Sequence, residues 1–108
     1  MNIEKAQNIF TANLNCLPNS FVYYLHERDI FDEKHFYELC DSLKYISTTQ
    51  SNDKICDLSL QAMQLYITIS KYFIYHFNPS DDYTMTNCPS NFYDYLEELE
   101  FHICKLLS

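Results

Sequence analysis

The stretch Asp53–Phe77, DKICDLSLQAMQLYITISKYFIYHF, decides the fold class. Set around a helix, its polar side chains Lys54, Asp57, Gln61, Gln64, Thr68 and Lys71 fall on one narrow stripe. Ile55, Leu58, Leu60, Met63, Leu65, Ile67, Ile69, Phe73, Ile74 and Phe77 fill most of the remaining circumference. A helix this broadly apolar is expected to be surrounded by other elements, because a surface helix needs a wide wet face. At about 1.5 Å per residue it runs ~37 Å. A compact chain of this size is roughly 34 Å across. The expectation is therefore an all-α, single-domain bundle of about five helices around a long central helix, residues 53–77.

The flanks read as shorter amphipathic helices. Residues 2–16 place Ile3, Ala6, Phe10 and Leu14 on one face, with Leu17 following. Pro18-Asn19-Ser20 breaks the chain, and Ser20 is a good cap for a short helix through Arg28 anchored by Phe21, Val22 and Leu25. Arg28 to Phe31 reads as a turn. Asp32 caps a third helix to about Ile46, with Phe36, Leu39, Cys40, Leu43 and Ile46 inward. Ser47 to Asn52 is a polar linker with nothing apolar to bury, and Asp53 caps the long helix. Asn78-Pro79 ends that helix, Asn tolerating a left-handed cap and Pro being unable to continue. Residues 80–88 read as an exposed loop, and Pro89-Ser90 open a last helix running nearly to residue 108.

Composition narrows the function. A chain of 108 residues is one domain, 1–108, able to hold a core without staples. A net charge of −8 with seven basic residues argues against direct nucleic-acid binding and against an anionic membrane surface. Glycine is absent, which removes phosphate-cradling loops, dinucleotide fingerprints and nucleophile elbows, and leaves Asn to take left-handed turns. The five cysteines form no CxxC pair and read as reduced, mostly core-facing thiols. No signal peptide is visible, and Gln61, Gln64, Ser70, Lys71 and His76 interrupt the apolar run too often for a membrane span. The expected location is cytoplasmic.

Catalytic and metal-binding candidates are poor. His26-Glu27 with Asp29 and Asp32 fits no zinc spacing and reads better as a polar turn capping two helices. His102 and Cys104 lie about 200° apart on a helix, so they cannot share an ion. His76, on the apolar side of its helix, reads as a core-edge histidine. Neither a catalytic residue nor a resident metal or cofactor is expected.

Aromatics set in carboxylate faces are more informative. In the last helix Phe92, Tyr95, Leu96, Leu99, Ile103 and Leu106 form a core face, and opposite lie Asp94, Glu97 and Lys105 with Phe101 among them. Tyr45 sits similarly among Lys34, Glu38 and Asp41. From Asp81 to Glu100 there are six acids and no basic residue. The bland account is a solvated acidic face, with a neighbouring helix covering Phe101. The functional one is a negative surface that docks a basic protein through Asp81, Asp82, Tyr83, Tyr93, Asp94, Glu97 and Phe101, the rings acting as anchors.

A small, acidic, Tyr-rich helical chain with the run Tyr24-Leu25-His26-Glu27-Arg28-Asp29-Ile30-Phe31-Asp32 leading into an acidic amphipathic helix resembles bacterial immunity proteins. These are the partners of toxins in contact-dependent growth inhibition. The resemblance implies a non-enzymatic cytoplasmic inhibitor that binds one cognate toxin domain 1:1, often a basic nuclease, and blocks its active site. A phage-type acidic inhibitor or nucleic-acid mimic aimed at a host defence protein is the alternative. A small enzyme or metal protein built on the His26-Glu27 turn comes third.

Overall fold

The computed structural model describes residues 1–49 and 52–107, with side chains described outside 52–57. Five helices follow one another: α1 (Ile3–Leu14), α2 (Phe21–Glu27), α3 (Glu33–Thr49), α4 (Asn52–Phe77) and α5 (Phe92–Leu107). The described residues form no strand, only an isolated bridge between Ile30 and Thr86. The chain is an all-α, single-domain bundle. None of the described helices is long and apolar enough to cross a membrane.

Local chemistry sets the ends. Asn2 caps α1 by accepting from the Lys5 amide at 2.8 Å. After Asn15, Cys16 takes φ 54°, and the Leu17 amide reaches back to the Ala12 carbonyl at 2.8 Å. That is a Schellman-type stop with cysteine where glycine usually sits. The other left-handed residues among those described are Asn19, Asp29 and Asn87, so Asn supplies two of the four and Asp a third. Asn78 is not among them. It ends α4 instead by accepting the Ser80 amide on its side chain at 3.0 Å.

Ser20 caps α2 through the Tyr23 amide at 3.1 Å, as expected. Asn13, buried on α1, accepts from the Val22 amide at 3.1 Å and donates to the Ile9 carbonyl at 2.9 Å, fastening α2 to α1. Asp32 caps α3 by accepting from the His35 amide at 3.0 Å and contacting its Nδ1 at 2.8 Å. Burial alone would raise the Asp32 carboxyl, but these bonds and the nearby His35 and Lys34 charges hold it below its usual value. The third helix continues to Thr49, so Ser47–Thr49 are helical rather than linker, their hydroxyls bonding back to the Lys44 and Tyr45 carbonyls. Asn52, also expected in the linker, already begins α4, and residues 50 and 51 lie outside the described residues. So does the side chain of Asp53, which falls inside α4 rather than before it.

Helix α1 packs on α3, α3 on α5, α5 on α4, and α4 returns narrowly to α1; α2 closes one end against α1, α3 and α4. The core runs through Phe10, Phe21, Leu25, Phe36, Leu39, Leu43, Ile46, Leu65, Ile69, Leu99, Ile103 and Leu106. Phe31, expected only in a turn, is buried at the centre of an aromatic cluster. Its ring meets Phe21 edge-on at 5.3 Å and Tyr95 at 5.0 Å, with Phe36 and Phe73 alongside.

The long helix is not central. Its 26 residues give about 39 Å, close to the 43 Å long axis of the molecule, so the spanning length is correct. Its burial is one-sided. Ala62, Leu65, Ile69 and Phe73 face the bundle, while Leu60 is 70% exposed, Ile67 47% and Ile74 62%. Among the described residues only α5 packs along it extensively, and α1 and α2 touch it over short lengths, which makes α4 an edge helix there.

The segment between α4 and α5 is also tighter than a loose exposed loop. Met85 is buried, and its amide donates to His76 Nδ1 at 2.9 Å, the core-edge role expected of that histidine. Thr86 exchanges backbone bonds with Asp29 and Phe31 at 2.7 and 2.9 Å. Tyr83 donates its hydroxyl to the Leu25 carbonyl at 2.7 Å.

Candidate docking surface on α5

Helix α5 divides into three faces. Leu99, Ile103 and Leu106 are buried, with Phe92, Tyr95 and Leu96 packed at the margin of the core. Toward α3, Tyr95 donates to Glu33 Oε2 at 3.3 Å, and burial with the neighbouring Tyr37 and Glu33 pushes its hydroxyl pKa up to about 12. Toward α4, Phe92 stacks on Phe73 at 5.7 Å and lies 4.7 Å from Phe77.

The third face is open. Asp94, Glu97 and Phe101 lie three and four residues apart on it, all exposed, with Tyr93 and Glu100 on its α4 side. Phe101 is 58% exposed and Tyr93 63%, so no helix of this chain covers the Phe101 ring. Its face attracts positive charge: Lys105 Nζ stands 5.5 Å from the ring centroid. Asp94 accepts a long hydrogen bond from the Asn91 side-chain amide at 3.4 Å. The ion pairs His26–Glu27, His35–Asp32 and His102–Glu98 each involve a histidine and lie away from Asp94, Glu97 and Glu100, which are exposed to solvent.

The seven residues expected to dock a partner do not form one patch. Tyr93, Asp94, Glu97 and Phe101 come together on α5. Tyr83 lies on the α2-facing flank of α4, its ring 5.5 Å from Tyr72 and 6.5 Å from Tyr75. Burial and the nearby Asp29 raise its hydroxyl well above the usual tyrosine range, in keeping with a donor committed to Leu25. Asp81 is exposed and turns back to accept the Tyr83 amide at 2.8 Å; Asp82 is exposed beside it. Asp81, Asp82 and Tyr83 thus belong to the pinned connection across α4. Tyr45 is half-buried against the core and offers no second aromatic anchor.

Of the catalytic candidates, His26 and Glu27 pair at 3.6 Å, Nε2 to Oε1, while the two aspartates are engaged elsewhere. His26 Nδ1 meets the Tyr72 hydroxyl at 2.7 Å, while Asp32 is occupied with His35 and the Asp29 carbonyl with Thr86. A different cluster, missed in the sequence, joins α3 to α5. Donor atoms of Cys40, Glu98 and His102 all lie within 4.8 Å of one another, His102 Nε2 standing 3.9 Å from Glu98 Oε1. Glu98 and His102 are an i, i+4 pair, a visible signal, but Cys40 comes from another helix. Burial, then Glu98 and Asp41, hold the Cys40 thiol strongly protonated, and burial lowers His102 despite Glu98. A soft cation would have to displace that thiol proton to bind there.

Of the four described cysteines only Cys40 is buried; Cys16 and Cys88 are half-buried and Cys104 exposed, and all are free thiols. No protein-family model matches the chain, and neither a curated protein nor a solved structure matches it.

Proposed function

We propose that this chain is a binding protein of the immunity type, holding a basic toxin domain through the open face of α5. The observation that carries the reading is the pair of uncovered rings, Tyr93 and Phe101, set beside the exposed carboxylates Asp94, Glu97 and Glu100. Exposed rings in an acidic field suit a partner rich in Lys and Arg. The carboxylates steer it in, and the rings then take its apolar stems and guanidinium faces. A nuclease that grips phosphates is cationic at its active site, so Asp94 and Glu97 can occupy that cleft in place of phosphate. A net charge of −8 favours the same class of partner.

The test is kinetic. Catalytically dead basic toxin domains are passed over the immobilised chain at several salt concentrations. The cognate domain should bind with an on-rate that falls steeply as salt rises. Asp94→Lys with Glu97→Lys should keep the fold and abolish that salt dependence, with at least a tenfold loss of affinity. Undiminished binding by a folded double variant would show that α5 is not the docking face.

A further inference from the structure

The outward side of α4 carries a pattern that the monomer leaves mostly exposed, although Phe77 at its end meets Phe92 of α5 at 4.7 Å. Leu60, Met63, Ile67, Ser70, Ile74 and Phe77 follow one another at alternating steps of three and four residues. That is the spacing of a coiled-coil seam, with Leu60, Ile67 and Ile74 at one heptad position and Met63, Ser70 and Phe77 at the other. The stripe that faces the bundle is a different one, Ala62, Leu65, Ile69 and Phe73. All six seam residues except half-buried Ser70 are exposed. The seam runs about 26 Å along the helix.

We infer that this seam is the interface of a homodimer, two copies of the chain packing α4 against α4 in antiparallel fashion. Three observations select a second copy as the occupant. The first is charge. From Leu58 to Phe77 the only charged residue is Lys71, on a chain of net charge −8; the two acids of α4, Asp53 and Asp57, precede this stretch. A basic partner finds no carboxylate along the seam itself, whereas over that length a second copy can approach without acid facing acid. The second is area. With side chains of roughly 200 Å² each, the exposed parts of the five large seam residues come to on the order of 500 Å². The flanking stems of Gln64 and Lys71 bring this toward the ~800 Å² per partner of a stable interface, and it stands at the top of what a lone monomer exposes.

The third is symmetry. Ile67 lies midway between Leu60 and Ile74, so a two-fold axis through it sets Ile67 on Ile67 and Leu60 on Ile74 of the other copy. The antiparallel arrangement also separates the two copies of Asp81 and Asp82, which a parallel one would bring together, and sets each pair toward the Asp53–Asp57 end of the other α4. The seam lies on α4 and shares no residue with the Asp94–Phe101 strip of α5, so the inference does not rest on toxin binding.

Sedimentation equilibrium of the purified chain tests it. The expected result is a concentration-dependent rise from 12.9 kDa toward twice that mass. Added salt should tighten the pair, because it screens the repulsion between two acidic chains. Ile67→Glu sets two carboxylates face to face at the axis and should raise the dissociation constant at least a hundredfold, with an unchanged circular dichroism spectrum. Ile74→Lys, at a more exposed position, should also weaken the pair and guards against misfolding of the first variant. Paired cysteines fix the direction: in a background without the native cysteines, Leu60→Cys should cross-link to Ile74→Cys and not to itself. A chain monomeric at every concentration up to the millimolar range overturns the inference. So does a dimer that both folded variants preserve, or one that Leu60→Cys links to itself.

Discussion

Two leucines five residues apart on α4 separate an edge helix from a surrounded one. Leu65 is 2% exposed and part of the core; Leu60 is 70% exposed. Truncating Leu65 to alanine deletes packed atoms from a site that cannot fully collapse, a loss of about 3 kcal/mol. Against a total stability of 5–15 kcal/mol for a domain of this kind that is a large share, and it lowers the melting temperature by roughly 15 °C. Leu60→Ala removes only about 30 Å² of buried apolar surface. At ~25 cal/mol per Å² the loss is under 1 kcal/mol, and alanine's helix propensity offsets part of it. The assay is urea unfolding followed by far-ultraviolet circular dichroism, at low micromolar protein so that association does not contribute. Leu65→Ala should shift the midpoint strongly and Leu60→Ala hardly at all. Equal losses at the two sites would refute one-sided burial and restore α4 to the centre of the fold.

Tyr83→Phe should cost about 1–2 kcal/mol, because it strips the Leu25 carbonyl of its donor, and the same denaturation curves will show it. Tyr83 is neutral in the folded chain and its hydroxyl pKa is raised there, so its contribution is complete below about pH 10 and declines as pH rises beyond. The parent should therefore lose more stability than Tyr83→Phe between neutral and strongly alkaline pH. Asp32→Ala should cost about 1 kcal/mol through the lost α3 cap. The Asp32 pKa is depressed by folding, so its contribution is present above about pH 4 and disappears as pH falls further. The stability gap between parent and Asp32→Ala should close in acid.

Helix existence, caps and inner faces were legible because each rests on local chemistry. Ser20 and Asp32 announce helix starts, and the periodicity of α3 and α5 marks their buried sides. What covers an apolar face is not local. The broad apolar arc of α4 contains two stripes, one against the bundle and one facing outward, and hydrophobicity alone does not distinguish them. Phe31 and Tyr83 were misread for a related reason. Both sit in irregular chain, where no periodicity shows burial, and their partners Phe21, Tyr95 and Leu25 come from distant segments. Asp94, Glu97 and Phe101 share one helix, so their lying side by side on α5 follows from spacing alone. Joining Asp81 to it required the path of the chain across α4, which spacing does not supply.

The docking role proposed for α5 is tested most directly at Phe101, by measuring binding kinetics and unfolding on the same variant. The ring is mostly exposed in the free chain, so Phe101→Ala should change stability by less than ~1 kcal/mol. It should speed dissociation of the bound toxin domain and raise the dissociation constant about thirtyfold, some 2 kcal/mol. A loss of ~3 kcal/mol of stability would return the ring to the core. Unchanged affinity in a stable variant would leave the strip a solvated acidic face with no partner.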